Sequence, residues 1–192
     1  MDAKTSFVAH DFYHIFNRAN SQADKLFFQE KNYCFFLDKW NEYLGSLVEV
    51  WAYCLVPNHF HFLVRIIEGD DKKIREQMRR FAISYAQAIN KQERRRGSLF
   101  QEHPKCVPVK KEAHLLWLVY YIHNNPVHHG ITSSFWEWKY SSLKALSNNM
   151  PTKLERTKVL QLFGGKQAML DFHKQDLHIK DIGYSLLDCR EG

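Results

Sequence analysis

Ala52-Tyr53-Cys54-Leu55-Val56-Pro57-Asn58-His59-Phe60-His61-Phe62-Leu63-Val64-Arg65 holds the end of one β-strand, a tight break and the start of another. Successive side chains of a strand point to opposite faces, and residues two apart share one. Phe60, Phe62 and Val64 therefore face a core, and His59 and His61 stand side by side on the other face. The flanking residues are β-branched and aromatic, as strands favour, and Pro57-Asn58 supplies the turn of a hairpin. Two neutral imidazoles converging from one rigid element begin a divalent-metal site. A third ligand and a reacting group must come from elsewhere. By itself, His-x-His is equally compatible with two surface histidines on a half-exposed strand.

The neighbouring segments place this hairpin in a sheet. Phe12 to Arg18 reads as a first strand, and Tyr33, Phe36, Leu37, Trp40 and Leu44 recur at helical spacing between Gln29 and about Leu44. Val48 to Val56 is the strand before the break. Glu68-Gly69-Asp70-Asp71 leads into a helix from Lys72 to about Gln92, with acids at the end where the helix dipole favours them. Cys106 to Lys110 is a last strand, placed at an edge by Pro108. A further helix is expected from Glu112 to about Asn125, stopped by Pro126. The first six elements, β-α-β-β-α-β, have the ferredoxin-like order of an α+β fold: an antiparallel sheet with helices on one face. The seventh, a helix, is expected near the sheet's exposed face or edge. Residues 1–149 read as one catalytic domain and 150–192 as a small helical appendage, with helices at Thr157–Phe163 and Gln167–Lys174 around Gly164-Gly165.

Composition bounds the function classes. With 192 residues, 45% hydrophobic and 15% aromatic, the chain can bury a core and is not disordered. A net charge of +6 permits a polyanionic partner. Cys34, Cys54, Cys106 and Cys189 contain no Cys-x-x-Cys pair, so neither a zinc ribbon nor a redox dithiol is indicated. No apolar run approaches the roughly 20 residues that span a bilayer. The expectation is a soluble cytoplasmic protein with no membrane partner.

The last expected helix brings the missing groups. Tyr121 and Asn125 are four apart and lie one above the other on a helix face. Tyr120 points about 100° away, and Tyr85 lies in the apolar stripe of its own helix. Asn125 offers an amide oxygen, although Asn before Pro is also a common helix stop. Basic residues capable of holding phosphates are Arg18 at the end of the first strand, Arg79 and Arg80 on the second helix, Arg94-Arg95-Arg96 after it, and Lys110. The second helix's basic stripe is also what a solvated face looks like, and Arg18 is equally suited to an ordinary surface ion pair. His14 is expected to be half-buried, and His103, His128 and His129 to be surface residues.

Three ordered motifs carry a family resemblance. They are Leu55-Val56-Pro57-Asn58-His59-Phe60-His61-Phe62-Leu63, then Gly97-Ser98-Leu99-Phe100-Gln101, then Tyr121-Ile122-His123-Asn124-Asn125-Pro126-Val127-His128-His129-Gly130, followed by Tyr140-Ser141-Ser142. Across about residues 10–146 the chain resembles the single-tyrosine HUH transposases, and more closely their REP-associated branch. The resemblance implies that His59, His61 and Asn125 hold Mg²⁺ or Mn²⁺. It implies that Tyr121 attacks single-stranded DNA beside a hairpin, forming a 5′-phosphotyrosine link, in a monomer or homodimer. Glu102-His103-Pro104-Lys105 departs from the family's glycine and basic-aromatic continuation. Two other functions stand beside this one. A hairpin-binding module without transposition activity would not need the nucleophile, and a metal hydrolase of another substrate would not need Tyr121.

Overall fold

The structure, a computed structural model, describes residues 6–175. Cys189 and the rest of 176–192 lie outside the described residues. The strands are β1 (Phe12–Arg18), β2 (Val48–Val56), β3 (His59–Ile66) and β4 (Lys105–Val109). They form one four-stranded antiparallel sheet in the order β2-β3-β1-β4, so Pro108 does sit on an edge strand. Helices α1 (Lys31–Leu44) and α2 (Asp71–Gln92) connect them in the ferredoxin-like order. The expected fold class is the observed one. Among the described residues no helix is long and apolar enough to cross a membrane.

The alternation in the hairpin determines the layers. Tyr13, Ile15, Phe60, Phe62 and Val64 face α1 and α2 and form one core with Phe36, Trp40, Phe81 and Tyr85. Trp40 stacks on Phe62 with centroids 3.8 Å apart. Phe36 is fully buried and meets Phe27, Phe60, Phe81 and Tyr85 at centroid distances of 4.9–5.2 Å. Phe36→Ala is therefore expected to destabilise the protein by about 3–5 kcal/mol, read as a lower urea midpoint with an unchanged slope.

The opposite face is covered too. Helix α3 (Glu112–His128) lies across it, over Ala52 and Cys54 of β2. These two small, fully buried residues leave room for a helix backbone to come close. The face carrying His59 and His61 is consequently an interior layer. His14, expected to be half-buried, is fully buried there.

Pro126 does not stop α3, which continues to His128 with the proline inside its last turn. The stop is Gly130. Its φ of +65° is the left-handed conformation that glycine adopts at little cost. Gly130 N–H bonds to the Val127 carbonyl and Ile131 N–H to the Pro126 carbonyl, the two bonds of a Schellman cap. Proline removes one N–H from the ladder, and the cap satisfies the last carbonyls beyond it.

A short helix α4 (Leu143–Ser147) follows, then α5 (Arg156–Leu162) and α6 (Lys166–His173). Val159 and Met169 are fully buried in the same core as α3, and Glu155 N–H bonds to the Val50 carbonyl of β2. Residues 154–173 thus pack against the sheet's α3 side.

Candidate metal and tyrosine site

Strand register decides which side chains share the interior layer. His61 lies between Cys54 of β2 and Phe16 of β1, and Phe16 pairs in turn with Lys105 of β4. His59 pairs with Val56 and Arg18. Helix α3 then presents two side chains, one turn apart, to this row. The Tyr121 ring stands edge-on to His61, with centroids 5.6 Å apart at 86°, and Asn125 Oδ1 lies 2.6 Å from His59 Nε2. The two histidines, the tyrosine and the asparagine singled out from sequence are brought together. Tyr120 points elsewhere, against Phe135, Phe172 and His173, and Tyr85 is in the other core.

The histidines are neutral. Burial pushes the His59 imidazole down to about 3, with His129 and Arg18 adding to the shift and the Asn125 bond opposing it. Burial, then the neighbouring His59 and His14, hold His61 well below the usual histidine range. Neutral rings keep a lone pair for a cation at pH 7, without proton release.

Two imidazole nitrogens and an amide oxygen are groups that could hold a divalent cation. His59 Nδ1 is 2.7 Å from Asn58 Oδ1, while its Nε2 faces Asn125 Oδ1. A neutral imidazole carries one N–H, so with both amides in these orientations one contact sets lone pair against lone pair. If Nδ1–H donates to Asn58, His59 Nε2 and Asn125 Oδ1 face each other as two lone pairs, a contact that a cation bound by both would relieve. Turning the Asn125 amide over would instead offer its Nδ2, which is buried and has no hydrogen-bond partner among the described residues. No three His, Cys, Asp or Glu side chains among the described residues gather as a metal-binding group. Asn125 Oδ1, 2.6 Å from His59 Nε2, is an oxygen that could serve beside the two imidazoles.

The basic residues divide by position. Arg18, paired with His59, is beside the site. The chain that follows Arg94–Arg96 returns to this end of the sheet, where Gln101 N–H bonds to the Arg18 carbonyl. Arg95 reaches back to α2, bonded to Asn90 Oδ1 at 2.7 Å. Arg79 and Arg80 are on α2, across the sheet from the histidines. Arg79 pairs with Glu76 at 2.8 Å and Arg80 lies over the Tyr43 ring, so neither joins the site. Lys110 follows Val109, which pairs with Phe12 at the far end of β1. Lys105 is the β4 lysine on the histidine row, 5.8 Å over the Phe16 ring. Strand pairing, which sequence alone does not reveal, separates these two lysines.

A second histidine cluster was not expected. The Met169 carbonyl can only accept, so His173 Nδ1 donates to it at 2.8 Å. His173 Nε2 then accepts from His123 Nδ1–H at 2.8 Å, and His123 Nε2 accepts from the Ser142 hydroxyl at 2.7 Å. Ser142 Oγ takes the Tyr53 N–H at 2.9 Å. This relay ties α6, α3 and β2 together, with every ring neutral. Nothing in the local sequence around His123 or Ser142 links them to residue 173. His129 was expected at the surface, yet it is half-buried with its ring 4.6 Å from that of His59.

The relay predicts an acid weakness. Burial lowers His173 from 6.5 to about 4. The unfolded chain therefore takes up a proton that the folded one refuses. Stability from this group is complete above about pH 6.5 and is lost as pH falls toward 4, by roughly 3 kcal/mol. Urea midpoints measured between pH 7 and pH 4.5 should fall less for His173→Phe than for the wild type.

No family model and no curated protein matches the chain. Among solved structures, a REP-associated tyrosine transposase bound to a REP hairpin is similar in fold. The TM-score is 0.64 over 76% of this chain and 84% of that one, at 16% sequence identity.

Proposed function

We propose that the chain is a divalent-metal-dependent strand transferase acting on single-stranded DNA beside a hairpin, with Tyr121 as nucleophile. The observation that carries this reading is the single helix α3, which sets Tyr121 against His61 and Asn125 against His59. The fold likeness to a transposase bound to hairpin DNA agrees with it. His59, His61 and Asn125 would hold Mg²⁺ or Mn²⁺. When bound, such an ion polarises a phosphodiester oxygen and stabilises the charge that grows on it.

The remaining work belongs to the chain. Arg18 and the Arg94–Arg96 segment approach the backbone as phosphate-binding groups. The Tyr121 oxygen forms a bond to phosphorus as the bond to the 3′ oxygen breaks. The phenol loses its proton and the departing oxygen gains one, giving a 5′-phosphotyrosine and a 3′-hydroxyl. A second hydroxyl attacking the same phosphorus reverses the exchange and rejoins the strand. Tyr121 is only 3% exposed and His61 is fully buried, so DNA reaches the phosphorus position only if α3 and the sheet part locally.

A library of single-stranded oligonucleotides carrying a hairpin and a 5′ overhang, incubated with Mn²⁺, tests this. The expected result is a covalent protein–DNA band on a denaturing gel. Tight hairpin binding with no band would favour the binding module instead.

A further inference from the structure

We infer that His14 is a positioning residue for this site: it holds His61 as the tautomer protonated on Nδ1, so that the ring presents Nε2 to a metal. The inference rests on the proposed metal site and adds a residue to it. His14 Nε2 and His61 Nδ1 are hydrogen-bonded at 2.9 Å. With Nδ1 engaged there, Nε2 is the nitrogen His61 can offer to a cation. It can do so only if the shared proton belongs to His61, which makes His14 Nε2 the acceptor. The reverse arrangement would place a proton on His61 Nε2 and close that position.

The surroundings fix the ring's plane as well as its proton. The His14 and His61 rings lie 5.1 Å apart and 19° from parallel. Phe16 also lies nearly parallel to His61, at 5.6 Å and 25°. Tyr121 meets both imidazoles edge-on. His61 is thus oriented by Phe16, protonated in register by His14, and faced by the tyrosine. His59 has a corresponding partner in Asn58, whose Oδ1 takes the Nδ1 side of that ring. Each histidine of the pair is therefore engaged on Nδ1. Such outer partners raise ligand basicity, and losing one typically weakens metal binding 10- to 100-fold. His14 is fully buried on a central strand, where an apolar residue would avoid the cost of desolvating an imidazole.

The test compares wild type, His14→Leu and His14→Gln, each first checked for a cooperative thermal transition. Imidazole ¹⁵N shifts of the metal-free protein report the His61 tautomer, and titration with Mn²⁺ reports affinity. Wild type should show protonated Nδ1 and unprotonated Nε2 on His61. His14→Leu should lose that preference and bind Mn²⁺ 10- to 100-fold more weakly. His14→Gln, whose Oε1 can accept the same proton, should recover most of both. A wild-type His61 protonated on Nε2, or a folded His14→Leu with unchanged tautomer and affinity, would overturn the inference. If wild type binds no Mn²⁺, the metal reading fails on its own, and the tautomer measurement still decides the role of His14.

Discussion

Tyr121→Phe removes DNA cleavage and strand joining, with an expected loss of at least about 10⁴-fold, as for other catalytic nucleophiles. The substitution keeps the ring that meets His61 and His14 edge-on, so folding and hairpin binding should remain near wild type. Tyr120→Phe is the matched control. That residue packs on the α6 side with Phe172 and His173, so its variant should retain cleavage. Single-turnover assays on a hairpin oligonucleotide found by the covalent screen measure both. If Tyr121→Phe still cleaves while His59→Ala does not, the protein is a metal hydrolase in which the tyrosine is structural.

His59→Ala carries the second large effect. It deletes the nitrogen facing Asn125 Oδ1 at 2.6 Å and leaves the proposed metal with one imidazole. Metal catalysis contributes several kcal/mol of transition-state stabilisation. Cleavage should therefore fall by roughly 10³-fold, and chelating the wild type with EDTA should produce a similar loss. Truncating this buried ring also leaves a cavity, which should cost roughly 2–5 kcal/mol of stability. The two effects are separable, because hairpin binding measured below the unfolding temperature should survive the first and not depend on the second. Cleavage by the wild type in EDTA at its Mn²⁺ rate would exclude the metal's role.

Much of the fold is legible in local pattern. The period-two alternation from His59 to Val64 announces both the strand and its two faces. The four-residue spacing of Tyr121 and Asn125 announces that they share a helix face. What was not legible depended on contacts between distant segments. The His59 and His61 face is an interior because α3 returns across Ala52 and Cys54, and that same return buries His14. Lys105 and Lys110 are separated by strand register, with Lys105 on the histidine row and Lys110 just past the Phe12 end. The basic stripe of α2 looked like a phosphate surface because amphipathicity shows which face is solvated. It does not show on which side of the sheet the helix packs. Pro126 was a plausible stop on local rules, but Gly130, four residues later, makes the cap bonds that end the helix. The His123–Ser142–His173 relay spans three segments whose spacing follows no local period.

Covalent joining of Tyr121 to DNA is the step on which the proposed reaction depends. The direct measurement is mass spectrometry of the protein–oligonucleotide adduct after digestion with trypsin and nuclease. The expected result is a peptide containing Tyr121 that carries a nucleotide through its 5′-phosphate, with the partner fragment ending in a 3′-hydroxyl. An adduct on Tyr120 or any other residue, or cleaved DNA with no protein-linked phosphate, would contradict it.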